Sequence, residues 1–429
     1  MMELEVGFVC FWPGPASRRR VANVQPRCQR QSFRARYGGQ VPDWVLNRLE
    51  RLGFENPTDV QEEALDVLMN EPGTDVVIHA KTGSGKTLAY LIPIFSTIDP
   101  SRASLQAAIV VPTPELGIQV YRAARRIAAG WESGEGSSKK LVVLPLLDQA
   151  DLRRQKLQIR ESGPRLVIGT VQRMIELEKA GRLKLDLVSM LVVDEFDSCL
   201  ADIETTSLLR QSLQLRAEDE NQRTTILASA TVPQHRHFLR TCVKEKWTKP
   251  CVKHVWIDSD EKIPESIEHL FAVCDQSKKL AALCRIINSL KPSAAIAFFS
   301  PSRDLDVIAK QLTKMLKAED GSVVALTWDS ALGSRKQSMA SFRSGEAKLL
   351  VATDIAARGL DIPHLTHVIN IDLPPDSDTY VHRAGRTGRL GRAGTVCSIC
   401  GPKELFVVDR MSNTLDIELK RLSSEQLKG

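Results

Sequence analysis

The sequence predicts an α/β protein built as two consecutive domains, each a parallel sheet covered by helices, and three observations carry that reading. The chain has 429 residues, too many for one ordinary domain and about right for two of roughly 200. Short β-branched and aliphatic runs alternate with helical stretches along most of its length, the order that builds parallel sheets. Those runs are apolar at consecutive positions, as strands buried on both faces require. Hydrophobic residues make up 43% of the chain and charged residues 26%, a soluble globular composition. No run of about 18 apolar residues is present, which excludes a membrane-spanning helix. No fixed-period repeat points to a solenoid or propeller.

The first domain, residues 41–257, takes its strands from runs at 76–78, 107–111, 141–144, 166–168, 190–193 and 225–228. A polar stretch at 258–264 reads as a linker. The second domain, residues 265–429, resumes the pattern with runs at 294–299, 323–326, 349–351, 367–371 and 395–399.

Residues 1–40 read as a disordered leader. They hold seven arginines, no lysine and only two acids, Glu3 and Glu5, so most of the formal charge of +6 sits there. Such a composition suits an organellar transit peptide; a basic tail that helps hold nucleic acid is the alternative. The remaining body is nearly neutral, so any polyanion site in it has to be a local patch.

The nine cysteines are scattered, as in chains kept reduced. Cys397 and Cys400 have a zinc-like spacing, but no second pair follows, and positions three apart on a strand face opposite sides. No metal is expected there. The pair Lys278-Lys279 reads as a solvated face, and His235, His237, His364 and His367 as surface or structural residues.

The sharpest local signal is Ala80-Lys81-Thr82-Gly83-Ser84-Gly85-Lys86-Thr87, which follows one strand run and opens a helical stretch. That is the setting of a phosphate loop. Its glycines let backbone N–H groups turn toward an anion, Lys86 reaches the β- and γ-phosphates, and Thr87 ligates Mg²⁺. The helix N-terminus adds its positive end. A metal-side acid is needed at the end of a neighbouring strand, and Asp194 follows Leu191-Val192-Val193. Glu195 is placed to orient or deprotonate the attacking water. In the second domain, Arg383, Arg386 and Arg389 are spaced by three among glycines. Arginines supplied across a cleft act as fingers on a transferring phosphoryl group, worth ~10³–10⁵ in rate.

At this point the chain resembles the DEAD-box family of ATP-dependent RNA helicases, from Gly53 to about Gly401 and with some eight motifs in the family's order. The resemblance implies two tandem RecA-like domains, ATP and Mg²⁺ as cofactors, and RNA as the partner, read through its backbone and 2′-hydroxyls. Gly53-Phe54, Pro57-Thr58 and Gln61 look like the Q motif; by resemblance Phe54 stacks on adenine and Gln61 hydrogen-bonds its edge. Thr58 equally suits a helix cap. Asp194-Glu195-Phe196-Asp197 stands where the name-motif belongs. Ser229-Ala230-Thr231 matches the motif that couples hydrolysis to closure. By resemblance Asp361 lies near the ribose, His382 links the domains, and Arg386 and Arg389 are the fingers.

Departures from the family pattern fall mostly on the RNA side. Phe196 replaces alanine and is expected to need extra room near the domain interface. Pro112-Thr113-Pro114-Glu115-Leu116-Gly117 lacks the usual arginine, and Pro114 also removes a backbone donor. The Gly-Gly element is replaced near Leu146-Leu147-Asp148. Thr170-Val171-Gln172-Arg173 keeps only the ends of its motif. Thr327-Trp328 replaces His-Gly, and Arg335 survives while Leu332 replaces a glutamine. Thr113, Thr170, Arg173 and Thr353 remain as candidates for the RNA path. The expectation is a monomeric, plastid-located ATPase that remodels RNA by local unwinding. The alternatives are an ATP-gated RNA clamp or assembly scaffold, a mitochondrial location, or a cytoplasmic or nuclear one if the leader is not a transit peptide.

Overall fold

The computed structural model describes residues 31–423 except 81–82, 100, 103, 132–139, 149, 186–187, 201–205, 208, 210–222, 231–237, 258–262, 265, 317–321, 328–331, 358–361, 363 and 389–391. The described residues form two lobes. The first lobe's strands are β1 (Val76–His79), β2 (Ala107–Val111), β3 (Val143–Leu146), β4 (Leu166–Thr170), β5 (Met190–Val193), β6 (Thr224–Ser229) and β7 (Lys253–Trp256). The second lobe's are β8 (Ile267–Val273), β9 (Ala295–Phe298), β10 (Ser322–Leu326), β11 (Ala347–Ala352), β12 (His367–Asn370), β13 (Gly394–Cys400) and β14 (Leu419–Arg421). All pairings are parallel. The sheet orders are β3-β4-β2-β5-β6-β1-β7 and β10-β11-β9-β12-β13-β8-β14. Counted from its own first strand, each sheet has the same order, so one RecA-like topology occurs twice.

Alternation along the strands divides each core into two layers. Val76 and Ile78 of β1 face the cluster under helices Asp43–Arg51, Asp59–Asn70, Lys86–Thr97 and Pro114–Ala128. Val77 faces the opposite cluster, with Met174 and Ile175 of helix Val171–Lys179. Each buried aliphatic side chain contributes about 1.5–3 kcal/mol, and both faces of both sheets are covered. Among the described residues no helix is long and apolar enough to cross a membrane.

Three sequence expectations need correction. The first is that the leader does not run to residue 40. Phe33–Tyr37 is a helix capped by Ser32, and Phe33 and Tyr37 are each 2% exposed in the first lobe's core. The Tyr37 hydroxyl donates to Asp66 Oδ1 at 2.9 Å. Arg34 pairs with Glu50 at 2.7 Å and Arg36 with Asp66 at 2.6 Å, so two arginines assigned to the leader belong to the folded body. Residues 1–30 lie outside the described residues.

The second correction concerns Lys279, which is 2% exposed and donates to the Ile371 carbonyl at 2.9 Å beside Glu404; only Lys278 is solvated. The third is that strands β7, β8 and β14 were not foreseen, and β3 starts two residues late, at Val143. The buried thiols of Cys397 and Cys400 lie on β13, where burial pushes Cys397 up to about 12.

Candidate active site

The functional side chains converge on the carboxyl ends of β1, β5 and β6, where ligands of parallel α/β sheets bind. β1 runs into the phosphate loop. Ala80 N donates to the Ser229 carbonyl at the end of β6, over 3.2 Å. Gly83 and Gly85 have φ of +82° and +100°, which only glycine adopts without strain. A side chain at Gly85 would also collide with the Gln61 amide. Lys81 and Thr82 lie outside the described residues.

The start of helix Asp59–Asn70 grips this loop. Thr58 N donates to Gln61 Oε1 at 2.9 Å, closing the helix N-terminus. Thr58 Oγ1 donates to the Ser84 carbonyl at 2.8 Å and Gln61 Nε2 to the Gly85 carbonyl at 3.1 Å. The capping reading and the nucleotide reading of Thr58 therefore describe one device. Gln61, expected on an adenine edge, is 3% exposed and holds the loop backbone. Phe54 is 37% exposed, following Gly53 at φ +82°. Its face is available for stacking.

Lys86 opens helix Lys86–Thr97, and its ammonium donates to the Ala80 carbonyl. Burial pushes its pKa below the ordinary value; Asp194, Asp197 and Glu195 oppose this and Arg386 reinforces it. Asp194 is 4% exposed. Burial raises its pKa, and the Tyr90 hydrogen bond and the Lys86 charge pull it back. Its carboxylate is held at both oxygens, by Glu195 N to Oδ1 at 2.9 Å and by the Tyr90 hydroxyl to Oδ2 at 2.7 Å.

Tyr90, which the sequence reading passed over, is fully buried and also hydrogen-bonded to the Thr87 side chain. It joins the two groups expected on the metal. Three positions after Thr87 on one helix is the spacing that could have pointed to it. A hydroxyl and a desolvated carboxylate are hard oxygen donors, the set that takes Mg²⁺ together with phosphate oxygens and water.

Glu195 sits in the left-handed region at φ +46°. Strain of this kind costs on the order of 1–3 kcal/mol and gathers at functional sites. Burial raises the Glu195 pKa, and Arg386 and His382 of the second lobe act against that. Asp197 approaches His382 Nε2 at 3.4 Å. Arg386 and His382 are thus brought against the first lobe's acids. Arg389, Thr231 and Asp361 lie outside the described residues.

Two expectations about this region are corrected. Phe196 does not crowd the interface: it is 1% exposed and points into the first lobe, edge-on to Trp247 with ring centroids 5.4 Å apart and to Phe238 at 5.9 Å. Arg383, one of the three evenly spaced arginines, does not face the phosphate site. It donates Nε and Nη2 to Asp354 at 2.6 and 2.7 Å and Nη1 to Asn370 at 3.0 Å, with its guanidinium 4.9 Å from the Phe298 ring. It locks the end of β11 to helix Ser377–Ala384.

The RNA-side candidates are less exposed than expected. Thr113, Thr170 and Thr353 are 1%, 2% and 8% exposed at the carboxyl ends of β2, β4 and β11. Thr113 and Thr353 accept from the backbone N–H groups of Leu116 and Ala356, and Thr170 is the N-cap of helix Val171–Lys179. What this edge presents is helix N-termini. Arg173 is engaged inside its own lobe, donating to the Ala150 carbonyl at 3.0 Å and Gln155 Oε1 at 2.9 Å. Pro114 occupies the first helical position, where a missing N–H breaks no helical bond.

Two departures explain each other. A Cβ on Gly117 would lie 2.5 Å from Leu147 Cδ2, so the leucine in the former Gly-Gly element needs glycine opposite it. The lobes also meet at Arg335, whose Nε donates to Glu115 Oε1 at 2.8 Å.

Fold and site together define a two-lobed nucleoside triphosphatase. The DEAD/DEAH box helicase family model matches residues 58–238, and that of the helicase conserved C-terminal domain matches residues 278–391. The chain is 39% identical over 389 residues to DEAD-box ATP-dependent RNA helicase 58, chloroplastic, of Arabidopsis thaliana, covering 88% of this chain and 81% of that protein. To the protein of the same name from Oryza sativa subsp. japonica it is 36% identical, covering 96% and 93%. Among solved structures, S. cerevisiae Dbp5 bound to RNA and ADP BeF3 has a TM-score of 0.77 at 24% identity, covering 91% of this chain and 95% of that one. Mss116p bound to ssRNA and AMP-PNP has 0.78 at 24%, covering 94% and 82%. These two share the fold. The chain belongs to the DEAD-box family of ATP-dependent RNA helicases.

Proposed function

We propose that ATP and RNA bind across the closed lobes, that closure bends the RNA so a short duplex loses a few pairs, and that hydrolysis resets the protein. The observation that carries this is the approach of the second lobe to the first lobe's acids, with His382 Nε2 3.4 Å from Asp197 and the Arg386 charge acting on Glu195. Phe54 stacks on the adenine and Gln61 fixes the loop beneath it. The loop N–H groups from Ala80 to Thr87 and the Lys86 ammonium hold the phosphates. Thr87 and Asp194 hold Mg²⁺, which when bound neutralises phosphate charge. Glu195 orients the attacking water and takes its proton. Arg386, with Arg389, stabilises charge on the transferring phosphoryl group. Asp361 contacts the ribose. His382 against Asp197, and Ser229 beside the loop, together with Thr231, report the state of the nucleotide to the seam. RNA phosphates lie on the helix N-termini behind Thr113, Thr170 and Thr353.

The two domains, 32–257 and 265–429, act as a monomer. The leader directs the protein to the plastid, a reading supported by its arginine-rich, acid-poor composition and by relatives named chloroplastic. A second reading, an ATP-gated RNA clamp with little unwinding, is favoured by one observation. Gly117 and Leu147 pack together, and Arg173 is turned inward, where the family's RNA-side elements stand.

Measuring ATP hydrolysis with and without RNA, beside duplex unwinding, tests both. Lys86→Ala should lower turnover by about 10²-fold or more. Hydrolysis without strand separation selects the clamp, and no ATP turnover in either condition removes the enzymatic reading.

A further inference from the structure

An open cleft of about 720 Å³ lies between the lobes, lined by residues of both. From the first lobe, Arg122 and Arg126 reach it, one turn apart on helix Pro114–Ala128 and therefore on one face. From the second lobe come Arg343, Ser344 and Ser293. No acid is among the described residues lining it. Among the described residues neither Arg122 nor Arg126 has an ion-pair partner. In a body whose net charge is close to zero, an arginine-lined, acid-free cleft is a local patch for a polyanion.

We propose that this cleft is a secondary track for single-stranded RNA, holding the strand beyond the segment gripped at the strand ends. It rests on the reading of the protein as an RNA-binding ATPase. The helix that carries Arg122 and Arg126 begins at Pro114, capped by Thr113 at the proposed RNA-side edge. At ~1.5 Å per residue the arginines lie roughly 12–18 Å further along, within reach of the same strand. The aromatic residue at the wall, Phe342, is 3% exposed, so no ring is offered for base stacking. The track holds backbone, without sequence preference. Because its cations come from both lobes, RNA in it binds the closed arrangement better and favours closure.

The test compares a short oligouridylate with one three times its length, by fluorescence anisotropy with AMP-PNP and Mg²⁺. The parent protein should bind the longer strand more tightly. The double variant Arg122→Gln/Arg126→Gln should lose that advantage, several-fold, while short-strand binding and short-strand-stimulated ATP hydrolysis stay unchanged. The slope of log affinity against log salt for the long strand should fall by about 1.4, from ~0.7 per lost contact on single strands. Arg343→Gln should act in the same direction, and Arg122→Lys/Arg126→Lys should restore most of the loss. Equal loss on both strands, no loss on either, or a parent protein indifferent to length overturns the track and leaves the main site standing. Absence of any nucleotide-dependent RNA binding overturns both readings.

Discussion

Glu115 and Arg335 meet across the seam of the lobes, Nε to Oε1 at 2.8 Å, with the arginine 2% exposed. Arg335 Nη1 donates as well to the Thr327 carbonyl at 2.9 Å. Removing one partner of a buried pair strands the other charge and costs about 3–5 kcal/mol. The pair is made only when the lobes are closed, so Glu115→Gln should weaken nucleotide-dependent RNA binding at least tenfold. The melting temperature of the nucleotide-free protein should hardly move. Anisotropy with AMP-PNP beside a thermal melt checks this; a fall in melting temperature with unchanged RNA affinity would sink it.

Tyr90→Phe removes the hydroxyl that joins Thr87 to Asp194. Hydrogen bonds to charged groups are worth about 1.5–3 kcal/mol. The Mg²⁺ concentration for half-maximal ATP hydrolysis should rise roughly tenfold, and Mg²⁺ should tighten AMP-PNP binding less than in the parent. Titration curves that overlay the parent's would show that Tyr90 only fills space.

Gly117→Ala should destabilise the first lobe by about 1–3 kcal/mol, the usual penalty of overpacking, because the new methyl meets Leu147 Cδ2. In a Leu147→Ala background the same change should be nearly neutral. Urea titrations of the four proteins in this cycle measure the coupling; additive effects would refute the packing argument.

His269 supplies a pH dependence. It is 5% exposed beside the Tyr380 hydroxyl at 2.8 Å, and burial pushes its pKa down to about 4. The unfolded chain takes up that proton near 6.5. Between these values the unfolded state binds more protons, so the stabilisation is complete above about 6.5 and is lost as pH falls toward 4. His269→Gln should shrink the drop in melting temperature between neutral and mildly acidic buffer. An unchanged drop would assign the pH dependence to other groups.

Most of the sheet was legible in the sequence because central parallel strands are buried on both faces, and Ala107–Val111 or Met190–Val193 can hardly be anything else. The edge strand Lys253–Trp256, with exposed residues at both ends, leaves no such trace, and β14 is three residues long. The phosphate loop, Asp194 and Arg386 were legible because their chemistry needs fixed residue types at fixed spacing. Tyr90 and the inward turn of Arg383 were not. Both depend on partners distant in the chain, Asp194 and Asp354, and on burial that only the tertiary structure sets. Phe196 misled for the same reason: its position within a motif says nothing of the hollow between Phe238 and Trp247 that receives it.

The small helix Phe33–Tyr37 sets a boundary for any trimming of the amino terminus. It is a hook, fastened by two guanidinium groups and a phenol to helices Asp43–Arg51 and Asp59–Asn70, the second of which grips the phosphate loop. A peptidase that trimmed the amino terminus would have to stop short of Ser32 to leave the helix whole. One that cut a few residues later would release a protein with every motor part intact and its latch missing.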